Sequence, residues 1–143
     1  MVVCTPPAPD LASTPGGPVP TADELRALIA TYVSTLNSRD PDAIAALFAE
    51  DAVQADPVSS PPNIGRDAIR AFFTGSIEAS EGWTFSAPSV HTCGDQVAIN
   101  FQIVVESSGT TMTIGGIEVF TVNDDGLIAS VNAYWDEADL AVS

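Results

Sequence analysis

Between Thr21 and Asn37 the apolar side chains recur with the period of a helix. Leu25, Leu28, Ile29, Tyr32, Val33 and Leu36 fall on one stripe, spaced for 3.6 residues per turn. The preceding T-A-D-E is a capping box: the Thr21 hydroxyl can accept from the Glu24 amide while the Glu24 side chain reaches back. After Asn37-Ser38-Arg39, Asp40 stands as N-cap and Pro41 at the first helical position. This predicts a second helix with Ile44, Leu47 and Phe48 as its buried face, stopping near Glu50 and Asp51 and forming a hairpin with the first. AVQADPV then reads as a short strand, SSPPNIG as a loop, and Arg66 to Ile77 as a third helix with Ile69, Phe72, Phe73 and Ile77 on its stripe. Beyond it the pattern is that of strands. WTFSAPSVH, QVAINFQIVVE, TTMTIGGIEVFTV and LIASVNAYW are strand candidates, separated by CGD, SSG and NDDG turns. The order ααβαββββ predicts an α+β domain with helices on one side of an antiparallel sheet.

Composition narrows what such a domain can do. With 143 residues, 45% hydrophobic and 16% charged, the chain suffices for one domain with a sizeable core. Residues 1–20 hold more than half of the eleven prolines and predict a disordered tail, leaving 21–143 as the domain. Nineteen acidic residues face four basic ones, Arg26, Arg39, Arg66 and Arg70, for a formal charge of −15. That balance repels nucleic acid and anionic membrane surfaces. No apolar run approaches the roughly 20 residues of a membrane span, and MVVCTPPAP has no basic n-region or apolar h-region, so the expected location is cytoplasmic. Cys4 and Cys93 form no CxxC pair and are expected as free thiols.

Three polar groups stand where burial is expected. Asp56 lies among small and apolar residues before a proline, which holds it extended; it is either a turn aspartate or a working carboxylate. Tyr32 sits in the middle of the first apolar stripe, as a core tyrosine or as a donor. Glu118 in TIGGIEVFTV has apolar or small neighbours on both faces of its strand, and is either outward or buried. A Glu118 buried without a cation would be neutral near pH 7 and able to donate a hydrogen bond. One ionised carboxylate facing a phenol and a protonated acid suits proton abstraction beside a carbonyl. Gly115 and Gly116, inside a strand, mark either a bulge or the close approach of something, such as a ligand, to the backbone. The single His91 lies in a strand candidate and is read as a bystander, and no residues have metal-ligand spacing; neither a metal nor a cofactor is expected.

The segments TYVSTLNSRDPDAIAALFAEDA, QADPV with PPNIGRDAIRAFF, GGIEVFTVNDDG and SVNAYWDEADLAV resemble the Δ5-3-ketosteroid isomerases (steroid delta-isomerases) of the NTF2-like/SnoaL-like superfamily. The resemblance runs from Thr21 to Val142. It implies a cone: a strongly bent mixed sheet wrapped over three helices around an apolar pocket, in a homodimer. It implies a cofactor-independent isomerase of 3-oxo-Δ5-steroids with Asp56 as general base, Tyr32 as oxyanion donor and Glu118 as the protonated second donor. Ketosteroid isomerases are themselves the standard example of a neutral carboxylic acid kept as a donor, so that role for Glu118 rests on the resemblance as well as on burial. Phe72, Phe101, Gly116, Val131, Ala133, Trp135 and Leu140 fall at positions implied to contact the steroid. Two departures stand out: the strand acid is usually an aspartate, and the positions of the tyrosines that support the oxyanion donor in some members hold Phe48 and Phe73. Alternatives within the same fold are a non-catalytic carrier of steroids or other apolar ligands, an epoxide hydrolase and a polyketide cyclase.

Overall fold

The computed structural model of the protein describes residues 19–143. All but the last two residues of the expected tail, Cys4 included, lie outside that range. Helix α1 (Ala22–Ser38) begins at the capping box: the Glu24 amide donates to the Thr21 hydroxyl at 3.1 Å and the Thr21 amide to the Glu24 carboxylate at 2.9 Å. Leu25, Ile29, Tyr32 and Leu36 are its buried face, as the spacing requires. Helix α2 (Pro41–Ala45) starts under Asp40, whose carboxylate accepts from the amides of Asp42 and Ala43.

Helix α2 is shorter than its apolar spacing predicts. The chain leaves it after Ala45, and Phe48 opens strand β1 (Phe48–Ala55). The reason is long-range: the Leu47 carbonyl accepts from the Ile128 amide and the Phe48 carbonyl from Arg66 Nε, both at 2.9 Å. A backbone bond from β6 and a side-chain bond from Arg66 thus claim carbonyls that a longer helix would have used. Strand β2 (Asn63–Ile64), within the expected loop, pairs with β1. Helix α3 (Arg66–Glu78) follows with Ile69 and Phe73 buried.

The remaining strands are β3 (Gly82–Cys93), β4 (Gln96–Ser107), β5 (Thr110–Val122), β6 (Ile128–Tyr134) and β7 (Leu140–Val142). The sheet runs β2-β1-β6-β5-β4-β3, with β7 also on β5. Strands β1 and β6 are parallel and the other pairs antiparallel, so the expected antiparallel sheet is mixed. The β3–β4 pair shifts register between Ser86 and Ser89, as at a bulge, a device that bends a sheet. The result is a seven-stranded curled sheet holding α1, α2 and α3 on its concave side.

Strands β6 and β7 share one edge of β5. Strand β6 pairs along Ile117–Val122 and β7 along Met112–Ile114, with a 3₁₀ turn at Glu137–Asp139 between them. The gap falls at Gly116. A Cβ there would run into the Tyr134 carbonyl oxygen and lie 3.0 Å from the Phe101 ring and 3.1 Å from Trp135 Cβ. The close approach to this glycine is therefore by the neighbouring strand, which turns away and aims Trp135 inward.

The described Cys93 is disulfide-bonded and not a free thiol, which corrects the sequence expectation. No helix among the described residues is long and apolar enough to cross a membrane.

Candidate active site

A cavity of about 610 Å³ opens between the concave face of the sheet and the helices, within the range of small-molecule sites. Tyr32, Asp56 and Glu118 all line it, together with Phe72, Phe101 and Trp135. Of the remaining predicted contacts, Val131 and Ala133 are enclosed in the core. Gly116 is covered by the β6 backbone, and Leu140 pairs with Ile114 in β7. None of these four belongs to the wall, although Ala133 and Leu140 are paired with Glu118 and Ile114 and share their face of the sheet.

Each of the three polar side chains is placed by a different element. Tyr32 projects from the middle of α1, 1% exposed. Its ring meets Phe85 and Phe120 edge-on, with centroids 5.8 and 5.0 Å away, a packing that fixes ring orientation without using the hydroxyl. Phe48 and Phe73 offer it no hydrogen bond, and among the described residues the hydroxyl has no hydrogen-bond partner. Burial raises its pKa well above the ordinary value, and the carboxylates of Glu118 and Asp56 push it further. The hydroxyl therefore keeps its proton and is a donor with no acceptor among the described residues.

Asp56 comes directly after β1, at a cis bond to Pro57. The turn is tied to β6 by the Val58 amide, which donates to the Ala133 carbonyl at 2.9 Å. Trp135 Nε1 donates to Asp56 Oδ1 at 2.8 Å, a contact that neither local pattern announces. Burial raises the Asp56 pKa, and the indole bond pulls it partly back, since a donor stabilises the ionised form.

Glu118 points inward from β5 and is 4% exposed, while its neighbour Ile117 is 42% exposed on the outer face. The inward position follows from the register: Phe120 and Val122, at the same parity, are buried. Its Oε1 is a buried atom with no hydrogen-bond partner, a rare and costly condition. Burial pushes its pKa well above the ordinary carboxylate range, and the negative charge of Asp56 adds to the push. The two carboxyls compete for protons in one apolar cavity. Glu118 holds its proton more strongly, because it is more deeply buried and lacks the indole donor that favours ionised Asp56.

The pattern reading missed much of the wall. Ile103, Val105 and Ser107 line it from β4, and Met112 and Ile114 from β5. Their parity is that of Phe101 and Glu118, so period-two alternation could have found them. Leu36, Ser76, Ala79, Ser80 and Trp83 close the other end. His91 lies on β3, exposed and off the wall. Among the described residues no group of His, Cys, Asp or Glu could hold a metal ion.

A family model described as a SnoaL-like domain matches residues 29–131. The chain belongs to the SnoaL-like family. Among its SnoaL-like relatives, the steroid Delta-isomerase of Nocardioides simplex is 31% identical over 120 residues, covering 84% of this chain and 96% of the isomerase. Epoxide hydrolase LasB of Streptomyces lasalocidi is 26% identical over 115 residues, 76% of this chain and 40% of LasB. Among solved structures, the epoxide hydrolase/cyclase-like enzyme SalBIII, with a role in pyran ring formation in the polyether salinomycin, superposes with a TM-score of 0.78 at 27% identity, over 85% of this chain and 97% of SalBIII. The SnoaL-like cone, a curled mixed sheet over three helices, is thus the fold expected from the sequence, and these relatives are enzymes.

Proposed function

We propose that the protein is a steroid Δ5-isomerase that moves a proton from C4 to C6 of a 3-oxo-Δ5-steroid and yields the 3-oxo-Δ4 product through a dienolate. The observation that carries this reading is that Glu118, whose Oε1 is buried without a hydrogen-bond partner, and Tyr32, whose hydroxyl has none among the described residues, line the same cavity as Asp56. Ionised Asp56 removes the C4 proton as the C4–H electron pair moves toward the ketone. Tyr32 and Glu118 donate to the oxygen as its charge grows, in a cavity whose low polarity strengthens both bonds. The protonated Asp56 then returns the proton at C6, restoring the base. The Glu118 side chain is one methylene longer than the aspartate usual in the resembling family, and so reaches further from its strand.

Ile117 and Tyr134 support the homodimer that goes with this reading. They face each other across β5 and β6 and are 42% and 49% exposed, and analytical ultracentrifugation tests the assembly.

A second reading is epoxide opening, favoured by the likeness to LasB and SalBIII. Here Glu118 would protonate the epoxide oxygen as its C–O bond breaks, while Asp56 takes the proton of the attacking hydroxyl or water. The isomerase reading ranks first because identity to the isomerase, 31%, is higher than to LasB or SalBIII, at 26% and 27%, and because Tyr32 supplies a second donor to one oxygen. Supplying a β,γ-unsaturated 3-ketosteroid and following conjugated-enone absorbance tests it. No enone from a folded, ligand-binding protein removes the isomerase, and ring-opened product from an epoxide substrate installs the alternative.

A further inference from the structure

The cavity has a second polar end. From Glu118 its inward rungs run along paired β4 and β5 through Phe101, the Ile103–Ile114 pair and the Val105–Met112 pair to Ser107, and from Phe101 to Ser107 this is roughly 20 Å of strand. On the helical side, Ser76 and Ser80 lie one and two turns beyond Phe72 on α3 and its C-terminal extension.

The hydroxyls at this end are already committed as donors. Ser76 donates to the Phe72 carbonyl at 3.0 Å, Ser80 to the Ser76 carbonyl at 2.9 Å and Ser107 to the Ala79 carbonyl at 3.3 Å. A carbonyl can only accept, so the direction of each bond is fixed. The Trp83 indole is likewise spent, donating to the Leu36 carbonyl at 2.8 Å. What remains is acceptor capacity, because each serine oxygen carries two lone pairs. Arg39 Nη1 takes one on Ser80 at 3.0 Å, and both on Ser76 face no donor among the described residues. The two ends of the cavity are therefore of opposite sense: Tyr32 and Glu118 present donors, and the serine end presents acceptors.

We infer that the serine end is a specificity site for a hydrogen-bond donor on the ligand, so that the preferred substrate carries a ketone at its reacting end and a hydroxyl at its far end. This rests on the steroid reading above. A far-end ketone would leave the Ser76 lone pairs unused, or require its hydroxyl to abandon the helix carbonyl and rotate. One neutral hydrogen bond separates the two ligands, which corresponds to about a tenfold difference in affinity.

The test needs no turnover. Dissociation constants are measured by quenching of tryptophan fluorescence for two 3-oxo-Δ4-steroids that differ only in a hydroxyl or a ketone on the distal ring. The wild-type protein is expected to bind the hydroxy ligand about tenfold more tightly. Ser76→Ala should lose most of that preference while its affinity for the diketone holds, and Ser76→Thr, which keeps the oxygen, should restore it. Equal affinities in the wild type, or a preference untouched by Ser76→Ala, would overturn the inference. Failure of both ligands to bind would overturn it together with the steroid reading, whereas binding with the stated preference but no isomerisation would remove the isomerase alone.

Discussion

The two ends of the cavity treat polar groups in opposite ways. At the outer end Arg39 makes three hydrogen bonds. Its Nη1 donates to the Ser80 hydroxyl and its Nη2 to the carbonyls of Ile77 and Ser80 at 3.0 and 2.9 Å, while its guanidinium carbon lies 4.8 Å from the centre of the Trp83 ring. This residue, with φ of 55° at the C-cap of α1, staples that helix to the end of α3 and to β3. At the inner end Glu118 and Tyr32 are more deeply buried, and among the described residues neither has a hydrogen-bond partner. An unmade bond in the interior costs about 1–3 kcal/mol, so the outer end is built for stability and the inner end carries a cost that a ligand can relieve. Strain of this kind collects where chemistry is done.

Removing the base should break the contrast most completely. Asp56→Asn keeps size and the Trp135 contact but cannot take a proton, so turnover should fall by about 10²–10⁴ or more with steroid binding retained, as enone formation and fluorescence quenching would show. Unchanged turnover would end the role of Asp56.

Removing either unpaired donor should cost about 10²–10³ in rate without costing stability. Tyr32→Phe deletes a hydroxyl with no partner among the described residues, so its melting temperature should be at least that of the wild type. A sharp loss of stability with rate per folded molecule unchanged would make it a core tyrosine instead. Glu118→Leu should be equally slow and at least as stable as the wild type at neutral pH, whereas Glu118→Gln keeps a donor and much of the rate.

The same carboxyl predicts a pH slope. Its folded pKa is raised, so between the unfolded value of about 4.3 and the folded value the native state binds the extra proton. Stability is then full at low pH and declines as pH rises through the folded pKa. Asp56 is shifted in the same direction, but it is present in both proteins when wild type and Glu118→Gln are compared by denaturant titration from acid to alkaline pH. The difference between the two curves should follow Glu118 alone. A flat difference would mean that the carboxyl titrates as an exposed one.

At the outer end the signs reverse. Arg39→Met should lower stability by about 1–3 kcal/mol, measured by urea unfolding, and leave the acid limb of the pH–rate profile where it is. The smallest effect is expected from Trp135→Phe: without the indole donor the Asp56 pKa rises further, moving the acid limb to higher pH by up to about one unit with a few-fold loss of rate near neutrality. An unmoved limb would show that the indole bond does not tune the base.

Local chemistry alone determined a good part of this protein. The Thr21 capping box, the stripe from Leu25 to Leu36 and the alternation through Thr110–Val122 specify their elements because neighbours within a turn or a rung supply the bonds and the burial. Asp56, Tyr32 and Glu118 stood out for the same reason, as polar residues in apolar company, and the family resemblance gave them roles. Tertiary structure decided the rest. Ile44, Leu47 and Phe48 are spaced for a helix, yet Ile128 and Arg66, far along the chain, claim the carbonyls of Leu47 and Phe48 and turn the segment into a strand. The pattern allowed Glu118 on either face; pairing with Ile99 and Ala133 put it inside. The gap between β6 and β7 closed Gly116 off and brought Trp135 to Asp56, 79 residues away in sequence. A residue's period is set by its own backbone, but which groups are left unpaired around a cavity depends on elements that meet only when the sheet has curled.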